Sequence, residues 1–132
     1  SMSSMNKYKA LRLPALAPPG WVFPVVWSIL FLFMGIASYL VWIKGIEKKS
    51  VRDALVYYGI QLGFNFFWTI IFFRFELRGL AFIWIIALLF FIIITTVKFF
   101  KIRKAAGYLM IPYIAWVSFA LYLNYTIWMM NR

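Results

Sequence analysis

The chain has 132 residues and a net charge of +11; 66% of it is hydrophobic, 23% is aromatic, and the mean hydropathy is +0.90. A fold this small cannot hide that much apolar surface from water, so a soluble globular domain is excluded and lipid is the solvent. Cysteine and histidine are absent, which removes disulfides, thiolate metal sites, the commonest general base and the commonest haem ligand.

A membrane span needs about 20 mostly apolar residues. Four runs qualify, Gly20–Ile43, Ala54–Phe73, Gly79–Val97 and Gly107–Met130, and none contains Lys, Arg, Asp or Glu. Backbone polar groups in lipid must be satisfied within the segment, so each run is expected to be a helix. The connectors Lys44–Asp53, Arg74–Arg78 and Lys98–Ala106 are short and charged. The expected fold class is therefore all-α integral membrane: one transmembrane domain over residues 1–132, an antiparallel bundle of four helices. Pro112 is expected to kink the last span or mark its effective start.

The basic residues lie between the apolar runs, which points to anionic headgroups of a lipid bilayer as partner and not to nucleic acid. Eight Lys/Arg fall on the side of the first and third connectors and six on the other, a bias too small to set topology.

The first span opens on a rigid turn, Pro18-Pro19-Gly20-Trp21, and carries Trp27 and Phe31 one helical turn apart. Prolines fix the backbone and glycine lets it change direction, which suits the mouth of a cavity. In the second span Gln61, Asn65, Trp68 and Phe72 share one helical stripe, while Gly59 and Gly63 form a GxxxG on roughly the opposite stripe. Buried Gln and Asn need partners, from a neighbouring helix, water or a ligand. The glycines read as a helix-packing face, intramolecular or in a homodimer. The last span presents Tyr113, Trp116, Ala120, Leu123 and Asn124 on one stripe, with Ile127 and Asn131 below and Phe119 beside it. Aromatic rings next to the small Ala120 would make a slot for a flat molecule. Trp42, Trp84 and Trp128 are assigned to interfacial belts or lipid.

Catalysis finds little support. The three carboxylates, Glu47, Asp53 and Glu76, all lie in connectors and read as solvated partners of adjacent bases such as Arg52 or Arg74. There is no catalytic triad, no paired carboxylates and no phosphate-binding loop. No ionisable residue lies inside a span, which argues against ion conduction and proton coupling.

At this point three ordered motifs resemble the TspO/MBR family, the tryptophan-rich sensory proteins related to the mitochondrial translocator protein. They are Leu16-Ala17-Pro18-Pro19-Gly20-Trp21-Val22-Phe23-Pro24-Val25-Val26-Trp27; Gln61-Leu62 with Asn65, Trp68 and Phe72-Phe73; and Pro112-Tyr113 with Trp116, Phe119-Ala120, Leu123-Asn124, Ile127 and Asn131. The resemblance runs from about Tyr8 to Asn131. It implies five transmembrane helices; four are expected here, with the start aligning with the loop before the second, so the family's first helix is expected to be missing from this sequence. It also implies a ligand pocket for porphyrins and other flat hydrophobic molecules, with porphyrin as ligand and no resident cofactor or metal. Tyr8, Pro18, Pro19 and Trp21 would form the lid, and Trp27 and Phe31 one wall. Asn65 and Trp68 would form a second wall, and Trp116, Phe119, Ala120 and Leu123 a third. A bacterial cell membrane is the implied location. The cholesterol motif proposed for animal members needs a base within five positions of its tyrosine, and six residues separate Tyr125 from Arg132, so cholesterol is not expected.

Three functions stay open from sequence: a receptor or sensor that binds tetrapyrroles and assists their transport, a light- and oxygen-dependent porphyrin-degrading activity, and a ligand-free structural module.

Overall fold

A computed structural model of the chain describes residues 19–74 and 77–130, apart from the side chains of residues 73, 74 and 78. Four helices follow in order: α1 (Val22–Trp42), α2 (Lys49–Thr69), α3 (Arg78–Ile102) and α4 (Lys104–Met130). A π-helical turn, Ile70–Arg74, continues α2. By length and composition all four helices can cross a membrane. The chain is a multi-pass integral membrane protein with an all-helical fold, and no strand occurs among the described residues.

Helix ends do not coincide with the apolar runs. α2 begins five residues before Ala54, and α3 and α4 swallow the expected connector Lys98–Ala106, leaving only Arg103 between them in extended backbone. Lys and Arg are good helix formers, and at the membrane surface their charges reach water while the backbone stays helical. For Pro112 one of the two expected outcomes is removed. It does not mark the start of a helix but lies inside α4, two turns past Lys104, where the proline withdraws one backbone N–H from the helix.

Two glycines are needed where the chain folds back. Gly45 has φ +117°, a conformation that side chains disfavour, and turns the chain between α1 and α2. The Arg52 guanidinium closes that connector by donating to the carbonyls of Ile46 at 3.0 Å and Glu47 at 2.9 Å. Gly107 is buried at the α3–α4 corner, where the Phe100 ring lies on its backbone in the space a Cβ would occupy.

The core forms along inward stripes at helical spacing: Leu30, Met34, Ala37 and Val41 on α1, and Ala81, Ile85, Leu88 and Ile92 on α3. α3 packs extensively on α4 and on α2, and α1 packs chiefly on α4, with much less contact to its sequence neighbour α2. The buried hydroxyls of Thr95 and Thr96 donate back to the carbonyls of Phe91 and Ile92, at 2.8 Å in each case.

Several expected roles change. Asp53 pairs with Lys98 across helices at 2.6 Å, with the Lys98 ammonium 5.0 Å from the centre of the Tyr57 ring, and not with Arg52, whose guanidinium is held by carbonyls. Trp84 is a packing residue: its Nε1 donates to the Phe64 carbonyl at 2.9 Å and its ring lies 4.9 Å from that of Phe64. Trp128 also packs between helices, stacked on Phe82 at 5.9 Å and against Gly79. Trp42 is exposed, as expected of a belt residue. Gly59 and Gly63 form no seam within the described bundle, because a Cβ built at either position meets nothing within 4 Å.

Candidate functional site: a polar hub beneath an aromatic slot

The α2 stripe turns inward in full. Gln61, Asn65, Trp68 and Phe72 are all buried. With this stripe facing α4, the polar groups meet across the helices. Tyr113, fully buried on α4, donates its hydroxyl to Gln61 Oε1 at 2.6 Å and accepts from Asn65 Nδ2 at 2.9 Å. The second Gln61 contact is weak, Nε2 to Met34 Sδ at 3.8 Å. One tier along, Trp68 Nε1 donates to Asn124 Oδ1 at 2.9 Å. These bonds answer the question left open by the buried amides, since each finds its partner on a neighbouring helix. The amide expected to touch ligand, Asn65, gives a donor to Tyr113.

Above the hub lies a narrow slot lined by Phe23 of α1, Trp68 and Phe72, and Ala120, Leu123 and Asn124 of α4. Trp68 and Phe72 stack along one wall, ring centres 5.7 Å apart. Its free volume is about 20 Å³, room for about one water. The π-helical turn carries Phe72 into the wall; such turns occur frequently at functional sites.

Of the residues expected to bind ligand, Trp68, Ala120 and Leu123 share the slot. Trp27 stands beside the hub, edge-on to Tyr113 at 6.2 Å and next to Phe31 at 5.6 Å, while Phe31 is exposed. Trp116 and Phe119 line a different hollow, between α1 and α4, with Trp116 edge-on to Phe23 at 5.7 Å. Pro19 and Trp21 are exposed at the start of α1. Tyr8 and Pro18 lie outside the described residues, as do Glu76, Asn131 and Arg132. Sequence reading missed Phe23 as a slot residue and Tyr113 as the hub. Phe23 stands four residues before Trp27, so the spacing that marked Trp27 and Phe31 reaches it as well. Among the described residues no group of acidic side chains could hold a metal ion.

A sequence profile of the TspO/MBR family matches residues 1–129. This chain belongs to the TspO/MBR family. Relatives fit that membership. The tryptophan-rich protein TspO of Chlorobaculum tepidum is 40% identical over 94% of this chain and 78% of its own length. The TspO protein of Archaeoglobus fulgidus is 35% identical over 99% and 84%. The human translocator protein is 36% identical over 95% and 75%. Membership of a family of TspO, sensory and translocator proteins supports a membrane receptor or sensor role for this chain.

Proposed function

We propose that this receptor or sensor takes a flat tetrapyrrole of the protoporphyrin type in the slot around Ala120, and that holding it there assists its transport. The observation that carries the reading is the convergence of Phe23, Trp68 and Phe72, from two helices, on the small side chain of Ala120 on α4. Aromatic faces suit a flat macrocycle because offset and edge-on ring contacts add to the burial of apolar area. Tryptophan supplies an indole already anchored, through Asn124, so the wall is held before ligand arrives.

The slot is closed at about 20 Å³, while sites for molecules of this size run to about 300–1,000 Å³. Binding therefore requires a wall to move. Phe23 is the wall on α1, the helix with little contact to α2, and its displacement would open the slot between helices already loosely joined.

The test is a titration of protoporphyrin IX into the protein in nanodiscs, following tryptophan fluorescence, with Ala120→Phe in parallel. Saturable quenching in the parent and its loss in Ala120→Phe is the expected result. Equal, unsaturating quenching in both would mean partition into lipid and would refute the slot as the site.

A further inference from the structure

At the opposite end of α1 from Phe23, a further hollow opens between α1 and α2. Its volume is about 350 Å³, and it is lined by Ser38, Tyr39 and Trp42 of α1 and by Leu55 and Tyr58 of α2. Trp42 is the last residue of α1, and Leu55 and Tyr58 lie within three turns of Lys49, where α2 begins. Leu55 follows directly on Ala54, the first residue of the second apolar run. The hollow therefore sits where hydrocarbon gives way to headgroups, the depth that tryptophan and tyrosine favour. Tyr39 and Trp42 are exposed, so it opens sideways to lipid. α1 and α2 touch little, and the space continues deeper. Gly35, one turn before Ser38, and Gly59, one turn after Leu55, have nothing within 4 Å of where a Cβ would stand.

Positive charge surrounds the rim. The connector beside it carries Lys44, Lys48, Lys49 and Arg52, all exposed, and four more bases stand between Lys98 and Lys104 at the same end of the bundle. Two acids, Glu47 and Asp53, oppose these eight bases, and the Asp53 carboxylate is already held by Lys98 at 2.6 Å. The Arg52 guanidinium is tied to the carbonyls of Ile46 and Glu47, which fixes its charge at the connector.

We infer that this cleft holds one anionic glycerophospholipid, with its phosphate among the connector lysines and an acyl chain in the space between α1 and α2. Charge and depth together select this occupant. A cleft at the hydrocarbon boundary, rimmed with cations and running on between apolar helices, matches a molecule that is anionic at one end and hydrocarbon at the other. Each Lys or Arg near the membrane surface adds attraction for such headgroups, and lysine stems lie along apolar surface while the ammonium stays at headgroup level. A second copy of the chain fits poorly, because pairing two copies side by side through this face sets the same positive excess against itself. A neutral lipid would fill the cleft and leave the rim charges without a partner. The inference does not depend on tetrapyrrole binding.

The experiment uses the full chain in phosphatidylcholine nanodiscs, with either phosphatidylglycerol or phosphatidylcholine added as a minor probe lipid bearing the same diazirine-tagged acyl chain. After illumination the labelled peptides are mapped by mass spectrometry. The expected result is saturable labelling of Ser38–Trp42 and Leu55–Tyr58, at least about fivefold stronger with the phosphatidylglycerol probe, the factor that one well-placed base is worth. The lipid-facing residues Ile83 and Ile86 of α3 should label equally with both probes. Lys44→Gln combined with Lys48→Gln, at exposed positions that leave the fold intact, should bring the phosphatidylglycerol signal down to that of phosphatidylcholine. Leu55→Trp, which fills the hollow, should suppress labelling of Ser38–Trp42 while unchanged labelling of α3 reports an intact bundle. Ser38→Phe is the second filling variant, used if the α3 pattern moves. Equal labelling of the cleft by both probes, a preference undiminished in the double lysine variant, or a cross-linked dimer in place of the lipid adduct overturns the proposal.

Discussion

Replacing Tyr113 with phenylalanine removes one oxygen and two hydrogen bonds, to Gln61 at 2.6 Å and from Asn65 at 2.9 Å. The ring keeps its place, so no cavity of consequence opens, and the cost is electrostatic. Gln61 is left with an unmatched acceptor and Asn65 with an unmatched donor, in residues that are 0% and 4% exposed. Interhelical hydrogen bonds in membranes average about 0.6 kcal/mol and reach about 1.7. Two of them give a loss of about 1.2 kcal/mol on the average and about 3.4 at the upper end, since the partners cannot turn to water. The assay is reversible unfolding in mixed lipid–detergent micelles, with a double-mutant cycle joining Tyr113→Phe to Gln61→Leu and Asn65→Leu. The cycle should show coupling, because a buried partner already removed cannot be stranded a second time. The triple replacement should recover part of the loss, as apolar groups of similar shape need no partners. A Tyr113→Phe protein within about 0.3 kcal/mol of the parent, with additive doubles, would refute the hub as a source of stability.

Gly107→Ala should destabilise the protein by about 1–3 kcal/mol, the range for overpacking, because the new methyl lands on the Phe100 ring; the same unfolding assay reads it, and Phe100→Ala in the same chain should relieve the clash. Gly63→Leu should leave the monomer at least as stable as the parent, gaining up to about 0.8 kcal/mol of helix propensity, since a Cβ there meets nothing within 4 Å. A marked loss of monomer stability would show that this face is covered.

How far the sequence could be read differs from helix to helix. The α2 stripe was legible because its polar residues are spaced at the helical period in an otherwise apolar run, and all four turn inward. α3 gave no such signal. It is apolar all round, so hydropathy selects no face, and the inward row of Ala81, Ile85, Leu88 and Ile92 looks like its lipid-facing neighbours. Trp84 went unread for the same reason. Helix ends were misjudged because charge marks the water boundary and not the end of hydrogen bonding, as Lys49–Asp53 and Lys98–Ile102 show. The separation of Trp116 from Ala120 depends on how α1 rotates against α4. No pattern within a single helix encodes that angle, and along α4 the slot residues begin at Ala120, directly after Phe119 of the other hollow.

The uneven packing of α1 bears on how the molecule is made. Its main partner is α4, the last of the four described helices in chain order, while α2, which follows it directly, shares little contact with it. An emerging chain can join α2 to α3 early, but α1 must wait, its inward row of Leu30, Met34, Ala37 and Val41 facing lipid or a chaperone, until α4 is threaded. Assembly of these four helices is thus gated by α4. The helix that bears the hydroxyl of the hub and the floor of the slot is also the one whose arrival closes the bundle.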